Sequence, residues 1–269
     1  MPNWFYEINV YLALGYIFLS CNVISIIGHI IARRYFSSLD NRDVVTKVVW
    51  QTILFFSTMF ITFWIATNWH DIGDLHTITN KEANLISSLY HDAAQTNISS
   101  RAILTRSIKN YLNNVIDVEY PALKSGKTVK NNDPIYRELV LSIYSYMPSD
   151  DIEDQLRYNR MLENIQTLSE TRAARIGFTE GNMHGPLLYF LIVITVLGCF
   201  WTGCINTKRL LFSIFIIMSQ NLILSSASWL ILEMDKPFQG ALNVSDTPFI
   251  HIQHEIDQYQ NRLKLTDRV

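Results

Sequence analysis

Two arginines, Arg172 and Arg175, stand where a helix would bury them. They extend the apolar series Met161, Ile165 and Leu168 at steps of four, three, four and three, the spacing of a single helical face. Elsewhere, Glu82 opens the series Glu82, Ile86, Leu89 and Ala93. A buried charge is costly unless an opposite charge meets it. One carboxylate and two guanidinium groups on buried faces therefore predict an ion pair between Glu82 and Arg172 or Arg175. A helix rises about 1.5 Å per residue, which sets Glu82 and the arginines at similar heights beyond the apolar stretches that flank them. The arginines could instead hold an anion, but the structural pairing is the simpler account.

Other polar groups lie inside apolar surroundings. Asn221, Ser225 and Ser228 share a helical face, as do Asn22, Ser25 and His29, and also Thr195, Cys199 and Thr202. Such groups either hydrogen-bond helices together in a bilayer, at on the order of 1 kcal/mol each, or line a wet pathway. An ionisable group such as His29 in an apolar stretch is a functional suspect by default; a neutral, hydrogen-bonded imidazole is the plainer reading. His70 and Asp74, four apart, have a spacing that can hold a divalent metal. His251, His254 and Glu255 also have helical spacing but lack the His-Glu-x-x-His order of zinc proteases. For both sets a solvated face is the plainer reading. Cys21, Cys199 and Cys204 show no C-x-x-C spacing. Neither a phosphate-binding glycine loop nor a nucleophile elbow occurs. The expectation is no enzyme, no cofactor and no metal.

The elements that must position these groups follow from hydropathy. Four stretches, residues 5–32, 48–67, 186–203 and 210–232, are long and apolar, and a helix needs about 20 such residues to cross a bilayer. The last two contain no Asp, Glu, Lys or Arg. Charged residues make up 17% of the 269, against about 25% in soluble domains. The fold class expected is all-α, an integral membrane protein with four transmembrane helices. The N-terminus lacks the basic start of a cleaved signal peptide, and its apolar run is too long for one.

The division expected is transmembrane helices one and two in 1–69, a helical extramembrane insert in 70–185, transmembrane helices three and four in 186–232, and a polar tail in 233–269. Within the insert, 80–114 reads as one helical pattern without Pro or Gly. Residues 119–126 read as a turn through Pro121 and Gly126, 135–146 as a short helix, and 152–177 as a helix capped from Ser149, Asp150 and Asp151. Arg33, Arg34, Arg42 and Lys47 follow the first stretch, and Lys208 and Arg209 follow the third. Positive loops stay in the cytoplasm, which places the insert and both termini outside the cell (inner) membrane. A net charge of −2 argues against nucleic acid as a partner. The partners expected are the lipid bilayer, further copies of the chain, and ions.

Several short motifs carry a resemblance. Leu232-Glu-Met-Asp-Lys-Pro-Phe-Gln-Gly240 is followed by Val244-Ser245 and Pro248-Phe249. Glu82-Ala83-Asn84 is followed by Tyr90. Val115-Ile-Asp-Val-Glu-Tyr-Pro121 is followed by Gly126. Arg172 and Arg175 precede Pro186, and Arg33-Arg34 follows the first stretch. With these the chain resembles the bestrophin-like family of four-span membrane proteins, with Asp235, Pro237, Phe238 and Gly240 as the family signature. It departs from the family in Tyr120, where Trp is usual, and in the aromatic second stretch with Phe55, Phe56, Phe60, Phe63 and Trp64. A bestrophin-style aromatic neck motif is absent. From the residues themselves, Pro237 and Gly240 read as a helix exit with Phe238 as an interfacial anchor.

The resemblance implies a four-span helical fold with a helical insert and, by analogy with the bestrophin chloride channels, an oligomeric ion channel. The alternative is a non-conducting scaffold or sensor whose insert binds a partner. A pore requires the Asn221 face at a shared axis. A scaffold requires it between helices of one subunit.

Overall fold

A computed structural model describes residues 10–35, 42–127, 129, 133–180, 185–205 and 210–266. Every regular element among them is helical. In order these are α1 (Val10–Tyr35), α2 (Arg42–Ala94), α3 (Ile98–Asn114), a widened turn at Val115–Glu119, α4 (Tyr120–Lys124), α5 (Pro134–Tyr144), α6 (Ile152–Gly177), a tight turn at Phe178–Glu180, α7 (Gly185–Cys204), α8 (Leu210–Met234) and α9 (Thr247–Thr266). Helices α1, α2, α7 and α8 are long and apolar enough to cross a membrane. Lys208, Arg209 and the first residues of the chain, where the sequence reading also made assignments, lie outside the described residues.

The chain divides into two compact units. An apolar unit takes in the described residues up to Asp71 and those from 185 to Leu242; a polar unit takes in Ile72–Glu180 and the chain from Asn243 onward. In the apolar unit, α1 and α7 pack backbone to backbone. A Cβ on Gly28 would meet the carbonyl oxygen of Phe200, and one on Gly203 would meet that of Ser25. Small residues permit this approach in a bilayer, where packing replaces the hydrophobic drive. The α2 segment joins through larger side chains. Phe60 packs edge-on to Phe190 with centroids 4.6 Å apart, and Trp50 donates to Thr202 Oγ1 at 3.1 Å.

The polar unit buries the faces that the helical spacing marks. Ile86, Leu89 and Ala93 of α2, and Met161, Ile165 and Leu168 of α6, are buried together with Leu104, Ile108 and Leu112 of α3. Two local expectations are corrected, and a third element is added to the reading. First, the helix expected over 80–114 is broken at 95–97. Asn97 caps α3 by accepting from the Ser100 N–H at 3.0 Å, and Thr96 donates to the Ala93 carbonyl at 2.8 Å. Polar side chains that bond local backbone compete with helix in this way.

Second, residues 119–126 are mostly helical rather than a simple turn. Pro121 has no N–H for the Asp117 carbonyl, and the helix widens there: the Tyr120 N–H reaches back to the Val115 carbonyl. Gly126, at φ 73°, ends the segment. Third, the polar tail forms helix α9. Phe249, Ile252 and Ile256 are its buried face. Lys109 pairs with Asp257 at 2.8 Å, and Gln253 donates to Asn113 at 2.9 Å.

Candidate functional site

The charged centre of the polar unit is built from four helical segments. Arg175 on α6 donates through Nε to Glu82 Oε2 at 2.6 Å and through Nη2 to Glu82 Oε1 at 3.0 Å. The same Nη2 donates to Glu119 Oε2 at 2.6 Å. Arg172, one turn earlier, donates to Glu119 Oε1 at 2.6 Å. Tyr111 on α3 donates its hydroxyl to Glu82 Oε1 at 2.8 Å. All five side chains are buried. Glu82 therefore meets Arg175, while Arg172 meets a second carboxylate.

Aromatic rings close the centre. The Arg172 guanidinium lies 4.8 Å from the Tyr136 ring centroid, and that of Arg175 lies 5.5 Å from Tyr120 and 5.8 Å from Phe249. Ring faces attract cations and exclude water at once. Two carboxylates facing two guanidinium groups cancel formal charge, and paired hydrogen bonds of this kind are roughly twice as strong as neutral ones.

Electrostatics follow from that arrangement. Burial alone would raise Glu119, but Arg175 and Arg172 outweigh it and hold its carboxyl below the usual range. Burial alone would lower Arg175, yet Glu82 and Glu119 keep it firmly protonated. Tyr111 is pushed well up by burial and by the carboxylates. Burial raises Tyr120 to about 12.

Glu119 and Tyr111 are absent from the ion pair read in the sequence. The signal for Glu119 was present: Ile108, Leu112, Val115 and Glu119 follow steps of four, three and four. The widened turn, one residue longer than an α-turn, carries Glu119 into the core. Wide turns of this type recur at functional sites.

The polar stripes of the apolar unit meet one another. Asn221 is buried, and its amide donates to Ser25 Oγ at 2.9 Å and to Asn22 Oδ1 at 3.2 Å. Ser25 also donates to the Cys199 carbonyl at 2.7 Å. His29 Nδ1 lies 3.2 Å from the Gly203 carbonyl. Ser228 and Thr195 share a 3.1 Å hydrogen bond, and Ser225 donates to Leu222 of its own helix at 3.1 Å. These groups lie between α1, α7 and α8 of one chain.

A different polar row is uncovered. The exposed residues of α2 between 51 and 67 are Gln51, Thr52, Phe55, Phe56, Thr58, Met59, Thr62, Phe63, Ala66 and Thr67. Gln51, Phe55, Thr58, Thr62 and Ala66 form one row, at steps of four, three, four and four. The exposed residues of the other three apolar helices are aliphatic, aromatic, Gly, Pro or Met between Tyr11 and Ile30, Pro186 and Leu197, and Leu211 and Ile223.

At the end of α8, Phe238 is buried, and Gly240, at φ 71°, lies against the Glu233 carboxylate, which accepts from the Ala241 N–H at 3.0 Å. A Cβ at residue 240 would meet Glu233 Oε2. Pro237 precedes this turn, and the Asp235 N–H donates to the Ile231 carbonyl at 3.2 Å. The signature thus forms a compact helix exit closed on Glu233, which the sequence reading left unassigned.

His70 and Asp74 are exposed, and Glu255 meets His91 at 3.3 Å. Among the described residues no three His, Cys, Asp or Glu side chains gather as a metal site.

Four apolar helices and a helical unit with a paired ionic core define an all-α, multi-pass membrane protein. Residues 17–249 match the Bestrophin-like domain, and the chain belongs to that family. No curated protein and no solved structure matches the chain. The family motifs read in the sequence converge: Glu82, Glu119, Tyr120, Arg172, Arg175 and Phe249 all belong to the ionic centre.

Proposed function

We propose that the chain is a subunit of a homo-oligomeric ion pore whose shared axis is faced by the outer row of α2. One observation carries this reading: α2 exposes Gln51, Thr58 and Thr62 in a stretch long and apolar enough to cross a membrane. A Thr hydroxyl can bond its own helix, as Thr52 and Thr67 do to Val48 and Phe63 at 2.9 and 3.0 Å. Gln51 stands one turn from Lys47, within reach of the interface, so Thr58 and Thr62, deeper in the span, carry the row. Uncharged donors and acceptors of this kind suit a wet pathway. The Asn221 cluster, engaged inside one chain, sits where the scaffold alternative expected it; the pore proposed here is therefore not lined by that face, which is glue on this reading, but by the α2 row. The ionic centre is the rigid core of the insert. Arg33, Arg34 and Lys47 mark the cytoplasmic ends of α1 and α2.

Ion flux from liposomes holding the purified chain tests the proposal, with chloride and potassium measured separately. A selective flux that changes when Thr62 becomes Leu, in a protein of unaltered melting temperature, supports it. Folded protein with no flux over a range of pH and calcium would leave the scaffold as the function, and binding partners of the insert as the next target.

A further inference from the structure

The polar unit leaves two apolar surfaces uncovered, and they carry opposite charge. The first is a groove between α3 and α5. Ile103 and Leu141 form its lips at 64% and 57% exposure. Arg106 and Arg137 line it beside a single carboxylate, Glu138. Helix α3 carries three cations and no carboxylate.

The second surface is the edge where the chain enters α6. Met147, Ile152 and Leu156 are 86%, 73% and 59% exposed, and exposed Asp150, Asp151 and Glu153 lie among them, Glu153 also facing Arg157 of its own helix at 3.5 Å. This edge has a fixed shape. Buried Asp154 accepts from the Tyr146 hydroxyl and the Ser149 N–H, both at 2.7 Å, and Asp151 caps the helix.

Single exposed apolar residues are ordinary on any surface. Contiguous apolar patches rimmed by charge mark interaction sites. Here one chain holds both an apolar, basic groove and an apolar, acidic edge. We propose that the acidic edge of one copy seats in the basic groove of the next. The groove and the edge adjoin, since Ser145 and Tyr146 line the groove and Met147 opens the edge; a contact that is not returned repeats from copy to copy and closes into a ring where the rotation allows, while a returned one stops at a pair. That ring is the assembly a pore needs, so the inference rests on the oligomeric reading above.

The test uses the full-length chain in detergent. Leu141→Cys chains and Ile152→Cys chains with different tags are co-expressed and treated with a short bis-maleimide. The wild-type chain, whose three cysteines are buried, is the blank. Mixed adducts well above the blank, with little adduct from either variant alone, are expected. Adding Arg106→Glu to the first chain should cut the mixed adduct several-fold, and adding Glu153→Arg to the second should restore it. Native mass measured on the same samples separates the failures. An oligomer whose mixed adduct stays at the blank overturns this contact and leaves the pore standing. A monomer overturns both.

Discussion

At the residue scale, the ionic centre should behave as one coupled unit. Removing one partner from a buried ion pair typically costs about 3–5 kcal/mol, because the survivor is left uncompensated. Glu119→Gln removes a partner of Arg172 and a partner of Arg175 together. Thermal or denaturant unfolding should show a loss in that range. Double-mutant cycles should show strong coupling of Glu82 with Arg175 and of Glu119 with Arg172. Coupling between Glu82 and Arg172, which share no direct bond, should be weaker. Equal coupling for all three pairs would refute this wiring.

The same groups set a pH window. An unfolded carboxylate titrates at about 4.3, while Glu119 is held lower in the fold. Its contribution to stability is present above the unfolded value and is lost as pH falls through the folded one. On the alkaline side, an unfolded tyrosine ionises at about 10, whereas Tyr120 holds its proton to about 12. Tyr111 is raised as well. Between those values the unfolded chain releases protons that the folded chain keeps. Stability is therefore full below the unfolded value and declines as pH rises through the folded one. Melting temperature against pH should show a plateau with both shoulders. Tyr111→Phe with Tyr120→Phe should reduce the alkaline shoulder, to which Tyr146, also raised to about 12, still contributes, and leave the acid one.

How much of the centre was legible varies by residue. Glu82, Arg172 and Arg175 announce themselves because charges interrupt apolar series at helical spacing. Glu119 obeys the same rule, but Pro121 and Gly126 beside it signal a turn, and the widened helix that reconciles both signals has no distinctive spacing. Tyr111 hides because tyrosine is an ordinary core residue until its hydroxyl finds a carboxylate.

At the element scale, hydropathy finds spans readily and breaks poorly. The four apolar stretches emerge as helices because their length and lack of charge leave few alternatives. The break at 95–97 escapes because Gln95, Thr96 and Asn97 are neither Pro nor Gly; tightened backbone bonds from Gln95 and Thr96, with side-chain bonds to local backbone, end α2 there. Helix α9 escapes because its apolar face is sparse and the rest of its surface is polar.

The α1–α7 contact yields an element-scale prediction with an internal control. Gly203→Ala puts a methyl into the Ser25 backbone, whereas a methyl at Gly15 meets nothing within 4 Å. Overpacking costs about 1–3 kcal/mol, and Gly to Ala in a helix otherwise gains up to about 1 kcal/mol. Gly203→Ala should lower the melting temperature in detergent, and Gly15→Ala should hold or raise it. If both variants melt alike, the close approach of α1 and α7 is not what holds the apolar unit together.

At the scale of the whole molecule, the orientation proposal can be separated from the pore proposal. The cytoplasmic assignment rests on Arg33 and Arg34 closing α1 and on Lys47 opening α2, with α6 of the insert on the opposite side of the membrane. The three native cysteines are buried, so an introduced cysteine reports its own position. Lys47 and Gln166 are both exposed, one near the start of α2 and the other on α6. In right-side-out vesicles, a membrane-impermeant maleimide should label Gln166→Cys at once and Lys47→Cys only after the bilayer is opened. The reverse order would put the insert in the cytoplasm and turn any pore around, while the exposed α2 row and the flux test built on Thr62 would keep their force. Charge in the short loops would then have failed as a guide, and the cations of the insert itself, Lys81 and the exposed arginines of α3 and α5 among them, would be the first place to look for the competing signal.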